Sequence, residues 1–279
     1  MEWSDTALVL GVGRFREADL WLRMLTRRHG IVSAFAFGGS RSRKRFCGCL
    51  DLFNELQIST KTTRNGMYLS LQEGNLIRGP RRLRTDWNRL GMFMNCVRFV
   101  EALGVPQDGA DGVFLLLKDT LELLEQSETV QDILPILFRL RLASQQGYAP
   151  ALTACVSCGK KDFDHAGFLV SEGTIICPDC ASGRGNIVEI SGKTLDVLRQ
   201  VQEVSPLHWH FLTSDSLEGA DAVLLPAERR ECARAVDGFV QYHLGLTWDR
   251  GAFGECNPKN SEYKNGLLWP LFQKEIPHW

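Results

Sequence analysis

The chain has 279 residues, of which 44% are hydrophobic and 23% charged, with a formal net charge of −1. That balance is the one expected of a soluble globular protein with room for two or three domains. It excludes a helical membrane protein, since no apolar run reaches the roughly 18 residues a span needs. Met1-Glu2-Trp3-Ser4-Asp5 also lacks the basic and apolar segments of a secretion signal. The nine cysteines are an odd number, which suits a reducing cytoplasm better than an oxidising compartment. The small net charge conceals an asymmetry: residues 1–100 carry 17 Lys and Arg against 8 Asp and Glu, and the remainder carries 15 against 25. A basic first third on an acidic remainder implies either a polyanion partner for that third or internal docking of opposite charges.

Thr6–Val12 reads as a short apolar strand. Gly11-Val12-Gly13 lacks the third glycine of a nucleotide-binding turn, because Arg16 stands in its place. Ala18, Trp21, Leu22 and Leu25 fall at i, i+3, i+4 and i+7, which predicts a helix from about Glu17 to His29 stopped by Gly30. Ile31–Phe37 is a second strand. Two glycines then open a loop that ends in Arg41, Arg43, Lys44 and Arg45, cations too crowded for an ordinary salt-bridged surface. Leu50–Ile58 and Gly66–Leu71 are strands three and four, joined by Thr60–Asn65, and Glu73–Ile77 adds a fifth. Several short strands with basic loops in some eighty residues suggest a small closed barrel, and the OB fold is the small barrel that most often holds single-stranded nucleic acid. The cations of this region available to a phosphate backbone are Arg14, Arg16, Arg27 and Arg28 on the first elements, the four of the basic loop, Lys61 and Arg64 of the later turn, and Arg81, Arg82 and Arg84 of the linker. Phe35, Phe37, Phe46 and Tyr68 are the nearby aromatics, and core positions are expected for them over stacking positions.

Gly79-Pro80 begins the linker that closes the barrel region. Thr85 or Asp86 caps a helix reaching Leu103; a second runs from about Asp111 to Gln126 and a third from about Val130 to Gln146, bent by Pro135. Glu122, Glu125 and Glu128 read as the solvated face of the second. Ser191 caps a fourth helix, Gly192–Val204, and Pro226 opens a fifth that Gly245 stops. His208-Trp209-His210 alternates as a strand would. From Asp249 onward the chain is polar and rich in breakers, apart from the apolar patch Leu267–Phe272, and reads as a mobile tail.

Two Cys-x-x-Cys pairs, Cys155/Cys158 and Cys177/Cys180, interrupt the helices with eighteen residues between them. A two-residue gap turns both sulfurs of a pair toward one point, and two such pairs provide the four thiolates of a closed, structural zinc site. Two disulfides or free thiols are the alternatives. Phe168–Val170 and Ile175–Ile176 form a hairpin that carries the second pair back to the first. The expected architecture is α+β and multidomain. Residues 1–79 form an OB-fold β-barrel, and 80–150 with 187–248 an α-helical bundle. Residues 151–186 form an inserted zinc-ribbon-like module of four cysteines binding one Zn²⁺, and 249–279 a C-terminal tail.

Asp5–Gly11, Glu17-Ala18-Asp19, Leu25–Gly30, Gly147-Tyr148-Ala149-Pro150 running into Cys155-x-x-Cys158-Gly159, and Tyr242–Gly245 together resemble the RecO family of recombination mediator proteins. The resemblance spans residues 5 to about 246. It implies an N-terminal OB fold, a helical domain and a non-enzymatic role in DNA repair and recombination. It implies binding to single- and double-stranded DNA, annealing of complementary strands, and action with RecR in helping RecA displace the single-strand binding protein SSB, whose C-terminal tail docks on the helical domain. It also implies a place beside the nucleoid. By position the family's basic loop falls on Arg41, Arg43, Lys44 and Arg45; Phe37 stands where the family often has Lys before its glycine. Two other classes compete with this one. A nucleic-acid or nucleotide enzyme finds no support in a P-loop, a His-x-Glu or a His-Glu-x-x-His motif. A zinc-ribbon interaction protein or transcription regulator would instead bind a partner protein.

Overall fold

The computed structural model describes residues 2–63, 66, 68–162, 164–185, 187–213 and 223–255. Five strands come first: β1 (Glu2–Arg14), β2 (Leu20–Thr26), β3 (Gly30–Ala36), β4 (Glu55–Thr62) and β5 (Leu69–Arg78). They form a closed barrel in the order β1-β2-β3-β5-β4, with β4 returning antiparallel to β1. β3 and β5 pair in parallel, Ala34 opposite Leu69 and Phe35 opposite Ser70. Inside lie Ala7, Val9, Leu22, Met24, Ala34, Ala36, Leu56, Ile58 and Leu71, closed off by Phe46 from the long β3–β4 loop. The opposite faces of β1 and β2 are not solvated. Leu8, Leu10 and Leu25 join the core of the helical half instead.

The helix expected over residues 17–29 is therefore a strand with a preceding turn. Leu22 and Met24 point into the barrel while Leu25 points to the helices, so both faces are apolar and the period of two is hidden. The separate fourth and fifth strands expected over Gly66–Leu71 and Glu73–Ile77 are one strand, β5, bent by a register shift opposite Ser59/Thr60.

The helical half holds α1 (Trp87–Leu103), α2 (Ala110–Gln126), α3 (Leu134–Gln145), α4 (Gly192–Glu203) and α5 (Pro226–Leu244). Asp86 caps α1 by accepting the N–H groups of Asn88 and Arg89 at 2.9 and 3.2 Å. Pro135 sits in the first turn of α3, where its missing N–H is harmless, so it starts the helix instead of bending it. Helix α3 lies centrally, against α1, α4 and α5. Its buried Arg139 is held by Asp237 of α5 and by Asn95 of α1, the latter at 3.0 Å. Residues 206–208 and 210–212 form short 3₁₀ turns, not a strand, with Trp209 fully buried between them.

Between α3 and α4 stands a four-stranded sheet of β6 (Ala151–Cys155), β7 (His165–Leu169), β8 (Thr174–Ile176) and β9 (Ile187–Ser191), in the order β6-β8-β7-β9. The expected hairpin is its β7–β8 pair. Alternation divides its faces: Ala166, Phe168 and Ile175 enter the helical core, while Leu169 and Ile176 cover the two inner cysteines.

After Gly245, which ends α5 in the left-handed conformation, β10 (Leu246–Asp249) and β11 (Ala252–Glu255) pair as a hairpin. Phe253 of that hairpin packs on Phe99 at 5.0 Å, so packed structure continues past the expected start of the tail. The apolar patch Leu267–Phe272 lies outside the described residues.

Candidate nucleic-acid interface and metal centre

One end of the barrel is assembled from two loops that the sequence keeps about twenty residues apart. Asp19 in the β1–β2 turn accepts the N–H of Gly38 at 2.7 Å, and Ser40 donates its N–H to the carbonyl of Ala18 at 3.1 Å. Gly39 permits this closeness, since a Cβ there would stand 3.0 Å from that of Ala36. Arg41 reaches Glu17 across the join at 3.8 Å, both groups exposed. Phe46 is drawn into the barrel core and Cys49 donates to the carbonyl of Gly74 at 3.1 Å, which pins the far end of the loop. With Phe46 buried, the residues before it are turned outward. Arg14 at the end of β1, Arg16 of the turn after it, and Arg41, Arg43, Lys44 and Arg45 of the other loop thus share one end of the barrel, all exposed.

These cations differ in what holds them. Arg14, Arg43 and Lys44 have no acidic partner among the described residues, and Arg16 lies over the ring of Phe15 at 5.3 Å. Arg45 folds back, donating to the carbonyl of Phe37 and lying 5.0 Å over the ring of Phe46. The other cations named from the sequence are placed elsewhere. Arg27 pairs with Asp111 of α2 at 2.6 Å, and Arg28 with the buried Asp5 at 3.4 Å. The hydrogen bond to Asp111 and its charge hold the Arg27 guanidinium above its ordinary pKa. Lys61 faces Glu2 at 3.9 Å. In the linker, Arg82 donates to the carbonyl of Ser127 at 2.9 Å and Arg84 pairs with Asp51 at 3.0 Å, while Arg81 is exposed. Arg64 lies outside the described residues. The linker and Arg27 thus tie the barrel to the helices, while Arg14, Arg16, Arg43 and Lys44 share the free end.

The aromatics depart from expectation. Phe46 is in the core, but Phe37 and Tyr68 are 41% and 54% exposed and Phe35 is half-buried. Phe35 and Phe37 alternate with the inward Ala34 and Ala36, so the small residues fill the barrel and the rings stand outside. In a run that is apolar throughout, the sequence does not say which alternate set faces in. Phe15, which sequence reasoning did not single out, and Trp21, expected on the apolar face of a helix, are exposed on the same side, at 51% and 39%.

The four paired cysteines converge as their spacing predicts. All four Sγ atoms lie within 4.8 Å of one another, those of Cys158 and Cys177 at 3.7 Å, and none is in a disulfide. Burial pushes the Cys155 thiol up, but the N–H groups of Cys177, Cys158 and Ser157 outweigh it and bring the pKa down to about 6. Cys180, hydrogen-bonded with Cys177 and Cys158, is pushed up to about 12. Four thiolates this close repel one another, and a divalent cation at their centre removes that penalty. The donor set, all sulfur and closely gathered, fits a tetrahedral metal ion. The other described cysteines are dispersed: Cys49, Cys96 and Cys232 are buried and Cys47 is exposed. Burial pushes the Cys232 thiol up to about 12.

Comparison with known families and proteins agrees across the chain. Residues 1–80 match the model described as "Recombination protein O N terminal" and residues 84–250 the model described as "Recombination protein O C terminal". The chain is 53% identical over 259 residues to a "DNA repair protein RecO" of Nitratidesulfovibrio vulgaris, covering 91% of this chain and 99% of the relative. A "DNA repair protein RecO" of Lawsonia intracellularis is 45% identical over 253 residues, with the same two shares. One of Myxococcus xanthus is 27% identical over 243 residues, 87% of this chain and 93% of the relative.

Proposed function

From the premise that the chain belongs to the recombination protein O family of DNA repair proteins, we propose that it is a non-enzymatic mediator that holds DNA on the cationic end of an OB-fold barrel. The observation that carries this reading is the gathering of Arg14, Arg16, Arg43 and Lys44 at one barrel end without acidic partners among the described residues. The strand order, with β3 parallel to β5, fits the OB fold. Cations aligned this way neutralise phosphates irrespective of sequence and release counterions as they do so. Neutralised backbones let two complementary strands approach, and annealing then needs no chemistry at a side chain. Single- and double-stranded DNA are both ligands of such a surface. Family membership supports the wider role, in which the protein works with RecR, meets SSB through its C-terminal tail and so helps RecA onto single strands in the cytoplasm. Arg27, Arg28, Arg82 and Arg84 belong to the body and joints of the barrel, and Lys61 and Arg81 lie apart from the cationic end.

The four-cysteine cluster is read as a structural zinc site, one ion per chain. Cys155, Cys158, Cys177 and Cys180 would hold the ion, which contributes cohesion and no open coordination position. The sheet face that covers two of these cysteines is the reverse of the face packed on the helices, so the ion stiffens a layer of the helical core.

The test is charge reversal. Arg43→Glu with Lys44→Glu weakens binding to oligonucleotides of any sequence and lowers the slope of log K against log salt by about 2, about one for each phosphate no longer neutralised. An unchanged affinity and slope would remove the site from this end of the barrel.

A further inference from the structure

Exposed aromatic rings in a soluble domain are commonly scattered singly. Here three, Phe15, Phe37 and Tyr68, are joined through a half-buried fourth. Phe35 is the hub: its ring centroid is 4.9 Å from Phe15, 5.4 Å from Tyr68 and 6.2 Å from Phe37, the first two edge-on and the third stacked. The four residues come from the β1–β2 turn, β3, the residue beyond it and the approach to β5, so the barrel builds the cluster from separate segments. Trp21 stands beside Phe35 in the β2–β3 register and opposite Gly13 in β1. Its indole extends over both Gly13 and Gly11. A Cβ on Gly13 would come within 2.0 Å of the indole nitrogen, and one on Gly11 within 3.6 Å of the ring. The two glycines therefore leave the strand bare where the indole rests.

The rim of this cluster is cationic. Arg16 lies over Phe15, Arg45 is bonded to the carbonyl of Phe37, and Arg14 ends the strand that carries Gly13. A protein partner of apolar character would be met by an uncharged rim, whereas a chain with regular negative charge and flat apolar faces matches both parts. Single-stranded nucleic acid has that chemistry: phosphates for the arginines and unstacked bases for the rings. A duplex offers the phosphates but keeps its base faces stacked on each other.

We propose that the Phe15, Phe35, Phe37 and Tyr68 cluster, with Trp21 beside it, is a base-stacking platform that makes this end of the barrel select unpaired DNA over duplex. The cations supply affinity for either form and the rings supply the difference. Gly13 is a positioning residue, keeping the indole down on β1.

The proposal rests on the DNA-binding reading, and the experiment separates the two. Full-length protein is titrated against oligodeoxythymidine, an abasic strand of the same length, and a duplex. The wild type is expected to prefer oligodeoxythymidine to the abasic strand. Phe37→Ala with Tyr68→Ala is expected to weaken oligodeoxythymidine binding by about tenfold or more, given about 1–3 kcal/mol per stacked base. Abasic and duplex binding and the salt slope stay as in the wild type. Gly13→Val, which displaces the indole without removing any ring, is expected to shift the same preference in the same direction. Thermal melting is run alongside, and the exposed substitutions are expected to leave the transition in place. An equal loss on all three ligands, or no loss on any, overturns the platform and leaves the cationic site standing. A wild type that binds none of the three overturns both.

Discussion

Glu125 of α2 accepts three main-chain N–H groups from the linker, those of Arg81 and Leu83 at 2.8 Å and of Arg82 at 3.2 Å. Burial works against its charge, but the three donors outweigh burial and hold the carboxyl below its ordinary range. Glu231 of α5 clamps the start of α4 in the same way. It accepts from the Ser191 N–H at 2.9 Å, the Thr194 hydroxyl at 2.6 Å and the Ser191 hydroxyl at 2.8 Å, and its pKa is also lowered against the effect of burial. An unfolded Glu titrates near about 4.3, so the stability these two contribute is fully present above that pH and is lost as pH falls through their lower folded values. Glu125→Gln with Glu231→Gln should therefore cost about 1 kcal/mol per site at pH 7. The variant's melting temperature should also fall less than that of the wild type between pH 5 and the acid limit. Parallel acid curves would contradict this. Nothing in the sequence marks the clamp at Glu125: its partners are backbone groups over forty residues away, which leave no side-chain signature, and spacing alone puts Glu122, Glu125 and Glu128 on a solvated face. Caps are readable because they are local, as Asp86 and Ser191 demonstrate.

Elements are legible where one face meets water and obscure where neither does. Helices α2, α4 and α5 fall within a residue or two of their expected bounds. Strand β2 does not, because Leu22 and Met24 fill the barrel while Leu25 fills the helical core, and the apolar residues then fit a helical spacing equally well. The cysteine-bearing sheet is readable from its cysteines, since ligand spacing is a geometric constraint independent of burial. What the spacing does not convey is that Phe168 and Ile175 enter the main core, and that Gly173 turns against Phe239, where a Cβ would stand 3.0 Å from the ring. The sheet is thus a layer of the helical half. On the zinc reading, metal analysis should find one ion per chain, and a strong chelator should lower the melting temperature by more than about 5 °C, since about 1 kcal/mol is worth some 2–4 °C in a domain of this size. Affinity for oligonucleotides below that temperature should be unchanged. Loss of DNA binding with the melting transition intact would instead put the module on the DNA path.

Across the molecule, the basic first third and the acidic remainder meet at the joint between barrel and helices. Part of the charge asymmetry is internal: Arg23 meets Glu101 at 2.6 Å, Arg27 meets Asp111 and Arg78 meets Glu122 at 3.2 Å, each pair joining a barrel cation to a helical acid, while Lys118 and Glu55 join the two in the reverse sense at 3.1 Å. Arg14, Arg16, Arg43 and Lys44 stay at the far end of the barrel beside the aromatic cluster. A barrel locked at one end and open at the other presents its cations and rings as one surface. Among the described residues no helix is long and apolar enough to cross a membrane. Strand annealing is the decisive measurement for a mediator of this kind. Two complementary oligonucleotides coated with cognate SSB are mixed with the protein, without ATP, over a series of salt concentrations. Duplex formation should be faster than the spontaneous rate, should fade as salt rises, and should be largely abolished in Arg43→Glu with Lys44→Glu. No acceleration at low salt, or the same acceleration in the charge-reversed variant, would contradict a mediator that works through the cationic end of its barrel.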